Sequence, residues 1–289
     1  MSPDGKRLFV ANGGESGAGS ILVIDIDGDA NTAVADIPLD APATGITVDH
    51  KGVVSAVMSL AGYGGSGALV TADPATFRVT TTSIGSDPRD VSAGRGGGLY
   101  VAHGSTVSVV KPPRASATID TDVAPQGFIR VFVNPAGTVA CAIAAGDTSG
   151  SFFLIDTAAR SVIQRVFIEE FPDSGAFSPD GRLLYIAEES RVSVFDAVSG
   201  EPLHQIALSE NPIDFALAPD GRHAYLANQL AGSVSIIDLE ARELTNEVDV
   251  GKLPIAVAAS PDGRRLYVSN SGSATVSVVA LDGPGVTQK

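Results

Sequence analysis

Residues 260–270 read SPDGRRLYVSN. A tight turn and a short strand are both written there. Pro presets φ, Asp bonds the turn backbone, Gly supplies a positive φ, and the following residues alternate with a period of two. The phrase returns as SPDGKRLFVAN at 2–12, SPDGRLLYIAE at 178–188 and APDGRHAYLAN at 218–228. Weaker copies are DHKGVVSAVMS at 49–59, GRGGGLYVAH at 94–103 and NPAGTVACAIA at 134–144. The turn glycines Gly5, Gly52, Gly96, Gly137, Gly181, Gly221 and Gly263 fall 40 to 47 residues apart. A fixed period of that length marks a repeat architecture.

Working outward, each period parses as four strands. A small, apolar strand led by Pro precedes the turn, as in PIAVAAS at 254–260. RLYVSN at 265–270 is the second, TVSVVAL at 275–281 or SVSIIDL at 233–239 the third, and the polar ELTNEVDV at 243–250 the edge. No long segment repeats every 3.6 residues, so the chain is predicted to be all-β. Four-stranded units repeated radially predict a seven-bladed β-propeller of antiparallel blades. One domain is expected over 1–289, with repeats near 2–48, 49–93, 94–133, 134–177, 178–217, 218–259 and 260–289. The first and last blades read as incomplete. MSPDG opens at a turn with no first strand before it, and the last blade ends after its third. Residues upstream of Met1 are favoured over a tail strand as the way the ring closes.

Composition narrows the function classes. Apolar residues make up 44% of the chain and charged residues 18%, enough to build a core and too apolar for disorder. The net charge of -14, from 33 acidic and 19 basic residues, argues against nucleic acid. No apolar stretch is long enough for a membrane span. A single cysteine excludes a disulfide framework and a cysteine zinc site. The four histidines show no HExxH spacing and no CxxCH occurs, so no cofactor and no resident metal are expected. The one metal alternative is Ca²⁺ held by Asp90, Asp173 and Asp214. A monomer outside the cytoplasm is favoured, with the cytoplasm left open and a small molecule or protein as partner.

LFVAN at 8–12, LYVSN at 266–270 and SVSIID at 233–238 resemble the YVTN-type propeller repeats of bacterial surface proteins. The unit is also similar to the seven-bladed lactonase family. The resemblance covers nearly the whole chain and implies the propeller fold. Lactone opening would follow from the second likeness, but no catalytic motif of that family matches residue by residue. With no Trp, WD40 repeats and the tryptophan docking motifs of alcohol-dehydrogenase propellers do not fit.

Departures from the repeat are the candidates for chemistry. Seven residues past each turn glycine stand Asn12, Ser59, His103, Ala144, Glu188, Asn228 and Asn270. His103 and Glu188 break the Asn pattern, and packing is taken not to demand them. The segments leading into the first strands offer Arg89, Asp90, Gln126, Asp173 and Asp214 as ligand-binding residues, with Arg130 deeper on its strand. Lactone opening needs a base for water and a cation for the developing oxyanion. His103 would be the base, Glu188 the acid or orienter, and Arg130 or Arg89 the anion holder. The favoured function is ligand or partner binding on the loop-rich face and central channel mouth. The alternative is a small-molecule enzyme there, a lactonase-like hydrolase or a cyclase. Cys141 stands where sister repeats carry Tyr100, Tyr185, Tyr225 and Tyr267, and is expected to be buried and inert.

Overall fold

A computed structural model describes residues 1–13, 17–27, 31–60, 66–112, 114–121, 127–281 and 287–288. Among them no segment is helical, so no helix is long and apolar enough to cross a membrane. The strands form seven antiparallel sheets, the blades of a seven-bladed β-propeller. The first sheet has three strands, β1 (Arg7–Gly13), β2 (Gly19–Asp25) and β3 (Thr32–Leu39). Each of the other six has four, in chain order from a first strand to an edge. They are β4 (Ala43–Val48), β5 (Val54–Ser59), β6 (Gly67–Ala72) and β7 (Val79–Ile84); then β8 (Pro88–Ala93), β9 (Leu99–His103), β10 (Thr106–Lys111) and β11 (Arg114–Asp120). Next come β12 (Phe128–Val133), β13 (Val139–Ala145), β14 (Gly150–Asp156) and β15 (Ser161–Ile168), followed by β16 (Pro172–Phe177), β17 (Leu183–Glu188), β18 (Arg191–Asp196) and β19 (Pro202–Ala207). The last two sheets are β20 (Asp214–Leu217), β21 (His223–Asn228), β22 (Ser233–Asp238) and β23 (Glu243–Asp249), then β24 (Pro254–Ala259), β25 (Arg265–Asn270), β26 (Thr275–Ala280) and β27 (Thr287–Gln288).

Two details differ from the sequence reading. The first sheet has three strands, and the last has three full strands plus the two-residue β27, paired with β26 over Val279↔Gln288 and Ala280↔Thr287. In the third copy the left-handed turn residue is Gly97 (φ 72°), whose amide donates to the Gly94 carbonyl; the sequence pointed to Gly96. The other marker glycines take φ between 71° and 84°, the region where a side chain is strained.

By contact the chain divides into one compact unit of residues 1–144 and 152–165 and a second of 145–151 and 166–289. Each buries its apolar side chains between neighbouring sheets, because a lone twisted sheet cannot cover both faces. In the first unit Tyr100, Phe128, Val131 and Phe153 form one such cluster, with the Phe128 and Phe153 rings edge to face at 5.3 Å. In the second unit Tyr185 stacks on Phe215 at 6.1 Å, and Tyr225 packs with Val257, Leu266 and Val268. Cys141 is fully buried, and burial pushes its thiol pKa well above the ordinary range.

Candidate functional site

The first strands share a local device. A register shift leaves Arg89 bulged between Pro88 and Asp90 on β8, and the same shift recurs before Arg130 on β12, Ser174 on β16 and Ala256 on β24. The residue after the shift is equivalent in these four sheets, and Asp214 opens β20 at the same level, pairing with Ala227 as Asp90 pairs with Ala102. The position holds Asp90 on β8, Arg130 on β12, Ser174 on β16, Asp214 on β20 and Ala256 on β24.

Where that residue is aspartate, it ties one sheet to the next. In the first unit Asp90 Oδ2 accepts from the Val131 amide at 3.0 Å. In the second, Asp214 Oδ2 accepts from the Val257 amide at 2.9 Å, while Oδ1 accepts from the Ser174 hydroxyl at 3.1 Å. Gly45 on β4 makes room for this. A Cβ there would stand 2.7 Å from both the Cα and Oδ1 of Asp90. Arg130 thus lies immediately before the amide that Asp90 grips, on the strand packed beside β8, and is half-buried. Arg89 donates to Asp87 at 3.1 Å. Asp87 has a positive φ of 54°, so the pair sits on a constrained turn. Asp173 is a half-buried bulge residue on β16. Gln126 lies outside the described residues.

The second strands end differently. Asn228 donates its amide to the hydroxyls of Ser233 and Ser235, at 3.1 and 2.8 Å. Asn270 does the same to Thr275 and Ser277, at 3.2 and 3.0 Å. Gly251 closes over Asn270; a Cβ on it would lie 2.6 Å from Nδ2. His103 fills the same slot in the first unit. Its Nε2 is 2.6 Å from the Ser108 hydroxyl on β10, its ring packs against Gly85, and it is 8% exposed. Burial lowers the His103 pKa, favouring the neutral imidazole.

Glu188 fills the slot in the second unit and is 1% exposed. Burial raises its pKa despite hydrogen bonds from Ser193 and Arg191. Arg191 bridges it at 2.9 Å to Glu170 at 3.3 Å, and Glu170 also receives the amide and hydroxyl of Ser190. Both side chains are therefore paired inside the protein, His103 with Ser108 and Glu188 with Arg191, while Ala144 fills the equivalent slot without a polar group. A polar side chain there crosses to the third strand to satisfy buried donors and acceptors. The sequence reading missed Glu170 and Arg191, although EESR at 188–191 carries an i,i+3 acid and base.

Among the described residues no three His, Cys, Asp or Glu side chains gather where they could hold a metal ion. The family model described as Lactonase, 7-bladed beta-propeller matches residues 135–289, more than half of the chain. The chain belongs to this lactonase family.

No curated protein sequence matches this lactonase-family propeller. Several solved structures share its fold. Hydrazine synthase of Kuenenia stuttgartiensis matches with a TM-score of 0.84 at 20% identity, over 97% of this chain and 94% of that one. A Bacteroides fragilis protein described as a "putative 6-phosphogluconolactonase" matches with a TM-score of 0.76 at 18% identity, over 100% and 95% of the two chains. A Bacteroides uniformis protein with the same description matches at 0.79 and 18%, over 98% and 95%. At such identities the likeness is one of fold. Asp173, Glu188 and Asp214 fall within the segment matched by the family model, and Arg89, Asp90, His103 and Arg130 precede it.

Proposed function

We propose that this lactonase-family propeller hydrolyses a small lactone bearing an anionic group, at the leading ends of β8 and β12. Family membership over residues 135–289 is the observation that carries the reading. The Bacteroides neighbours favour the 6-phosphogluconolactone class of substrate. The arrangement in the first unit suits that chemistry. Arg89 and Arg130 place two guanidinium groups on adjacent strands of a strongly acidic protein, and planar guanidinium donors match phosphate and carboxylate geometry.

Asp90, oriented by the Val131 amide, takes the proton from water as the water oxygen bonds to the lactone carbonyl carbon. Arg130 stabilises the oxyanion that forms. The ring C–O bond then breaks and the leaving alkoxide recovers the proton, giving an open hydroxy acid. His103, paired with Ser108, holds the end of β9 that pairs with Pro88 at the head of β8. The test is acid release from 6-phosphogluconolactone, followed against spontaneous opening. Faster opening with the protein present supports the reading. Opening no faster than in buffer, at substrate concentrations where binding is saturated, overturns it and leaves ligand binding as the role of this end.

A further inference from the structure

We propose a second binding site, for a small ring-bearing acid, in the groove between the first two sheets at the turn end of the first unit. It lies at the opposite end of the strands from Asp90 and Arg130, and it does not depend on the lactonase reading.

At three junctions the turn glycine of one sheet packs on the second residue of the preceding turn. A Cβ on Gly221 would lie 2.9 Å from Pro179, one on Gly263 3.8 Å from Pro219, and one on Gly137 3.2 Å from Arg95. Neither Gly52 nor Gly97 makes that contact: Gly97 has nothing within 4 Å, and the near neighbour of Gly52 is Pro74 of its own sheet, at 3.6 Å, with Pro3 not within reach. The turn here is Asp49-His50-Lys51-Gly52 in place of Ser-Pro-Asp-Gly. Asp49 holds it by accepting from the amides of Lys51 and Val53, at 2.8 and 2.9 Å. What opens is a cavity of about 570 Å³. Small-ligand sites fall in this size range.

The lining has an apolar floor, with three carboxylates, Asp4, Asp25 and Asp27, and three cations, Lys6, Arg7 and Lys51. Phe9, Pro3 and Pro74 supply the floor, with Phe9 only 6% exposed. Each carboxylate of the lining already accepts from a local donor. Asp4 accepts from the Ser2 hydroxyl at 2.6 Å, Asp25 from the Asp27 amide at 3.0 Å, and Asp27 from the Lys6 ammonium at 2.8 Å. Lys6 is thereby spent on Asp27. Arg7 is held by neutral groups: Nη1 donates to the Pro74 carbonyl at 2.8 Å, and the guanidinium lies 5.3 Å over the Phe77 ring. Its positive charge meets the cavity, and the exposed Lys51 stands at the mouth. A flat ring against the prolines and Phe9, carrying one carboxylate or phosphate toward Arg7 and Lys51, satisfies both features.

Benzoate is the probe, with benzyl alcohol as its neutral counterpart, titrated into the whole protein and followed by amide NMR shifts and calorimetry. Saturable benzoate binding with shifts at Lys51 and Gly52, and none from benzyl alcohol, is expected. Lys51→Ala should weaken binding by up to about fivefold, the range of an exposed ion pair. Ala75→Trp, at an exposed lining position, should close the mouth and abolish binding while leaving the thermal unfolding midpoint near wild type. Benzoate binding that survives Ala75→Trp unchanged, or shifts confined to other residues, overturns the proposal.

Discussion

The leading ends of the first strands and the far ends of the second strands both hold charged residues that stand out from the repeat. The structure treats them in opposite ways. At the second-strand ends His103 and Glu188 are buried and spend their polar atoms on Ser108, Ser193 and Arg191, as Asn228 and Asn270 do on their own third strands. At the first-strand ends Asp90, Arg130 and Asp214 occupy one equivalent position and stay half-buried. A departure from a repeat is thus a weak sign of function when a buried polar slot accepts several residue types. It is a stronger one when it changes charge at a position that water reaches.

The largest effect that would test this contrast is on turnover. Arg130→Ala should lower kcat/KM for lactone opening by about 10² or more, the scale of a lost oxyanion donor. Its thermal unfolding should stay near wild type. A full loss of fold in Arg130→Ala would move Arg130 to the structural side of the comparison.

Next in size is the clamp. Asp214→Ala strands the Val257 amide and the Ser174 hydroxyl, and should cost about 1–3 kcal/mol in urea unfolding. Asp90→Ala should cost a similar amount and also lose activity, whereas Asp214→Ala should retain it. Equal activity in both variants would remove Asp90 from the chemistry.

His103→Asn copies the sister sheets and should leave kcat/KM within about twofold of wild type, since neutral polar partners to Ser108 are kept. Its signature is in pH. Burial holds the His103 pKa below its ordinary value of about 6.5, so below that pH the unfolded chain binds a proton that the folded chain resists. Wild-type stability should fall as pH drops from about 6.5 toward the depressed value, and His103→Asn should flatten that fall. Urea midpoints across the window measure it. A turnover loss with unchanged stability would return His103 to the catalytic role.

The smallest effect belongs to Glu188→Gln. Burial raises the Glu188 pKa, so its ordinary value of about 4.3 in the unfolded chain is passed first as pH rises. Its contribution to stability is therefore full below that value and is lost as pH rises toward the raised one. Glu188→Gln should remove this slope, giving a slightly higher urea midpoint than wild type at about pH 7 and no gain at about pH 4. A drop at neutral pH would mean that the Arg191 bridge outweighs desolvation.

The blades were legible because their signals are local. SPDG needs only its own Pro, Asp and Gly to turn, and RLYVSN shows its two faces in its own alternation, with Leu266 and Val268 buried together. The turn glycine of the third copy was misplaced by one residue because Gly96 and Gly97 are both able to take a positive φ; closure onto the Gly94 carbonyl chose Gly97. The tail strand was weighed and not favoured, because two residues, Thr287 and Gln288, carry no period of their own.

The candidate site was legible as a set of residues and not as an arrangement. His103 and Glu188 stood out by type, yet Gly85 and Ser108 decide what His103 does, and Glu170 and Arg191 decide it for Glu188. These partners lie in other strands or in the preceding sheet. By itself the sequence determined the all-β class, the seven-fold repeat, most of the turn positions and the burial of Cys141, because each rests on residues close together in the chain. Only the tertiary structure decided that Asp90 and Asp214 clamp neighbouring sheets, that a polar slot holds His103 and Glu188, and that a groove lies open beside Gly52. Hydrogen bonds and voids depend on distances of a few ångströms between segments some 40 residues apart, and those distances exist only once the sheets have packed.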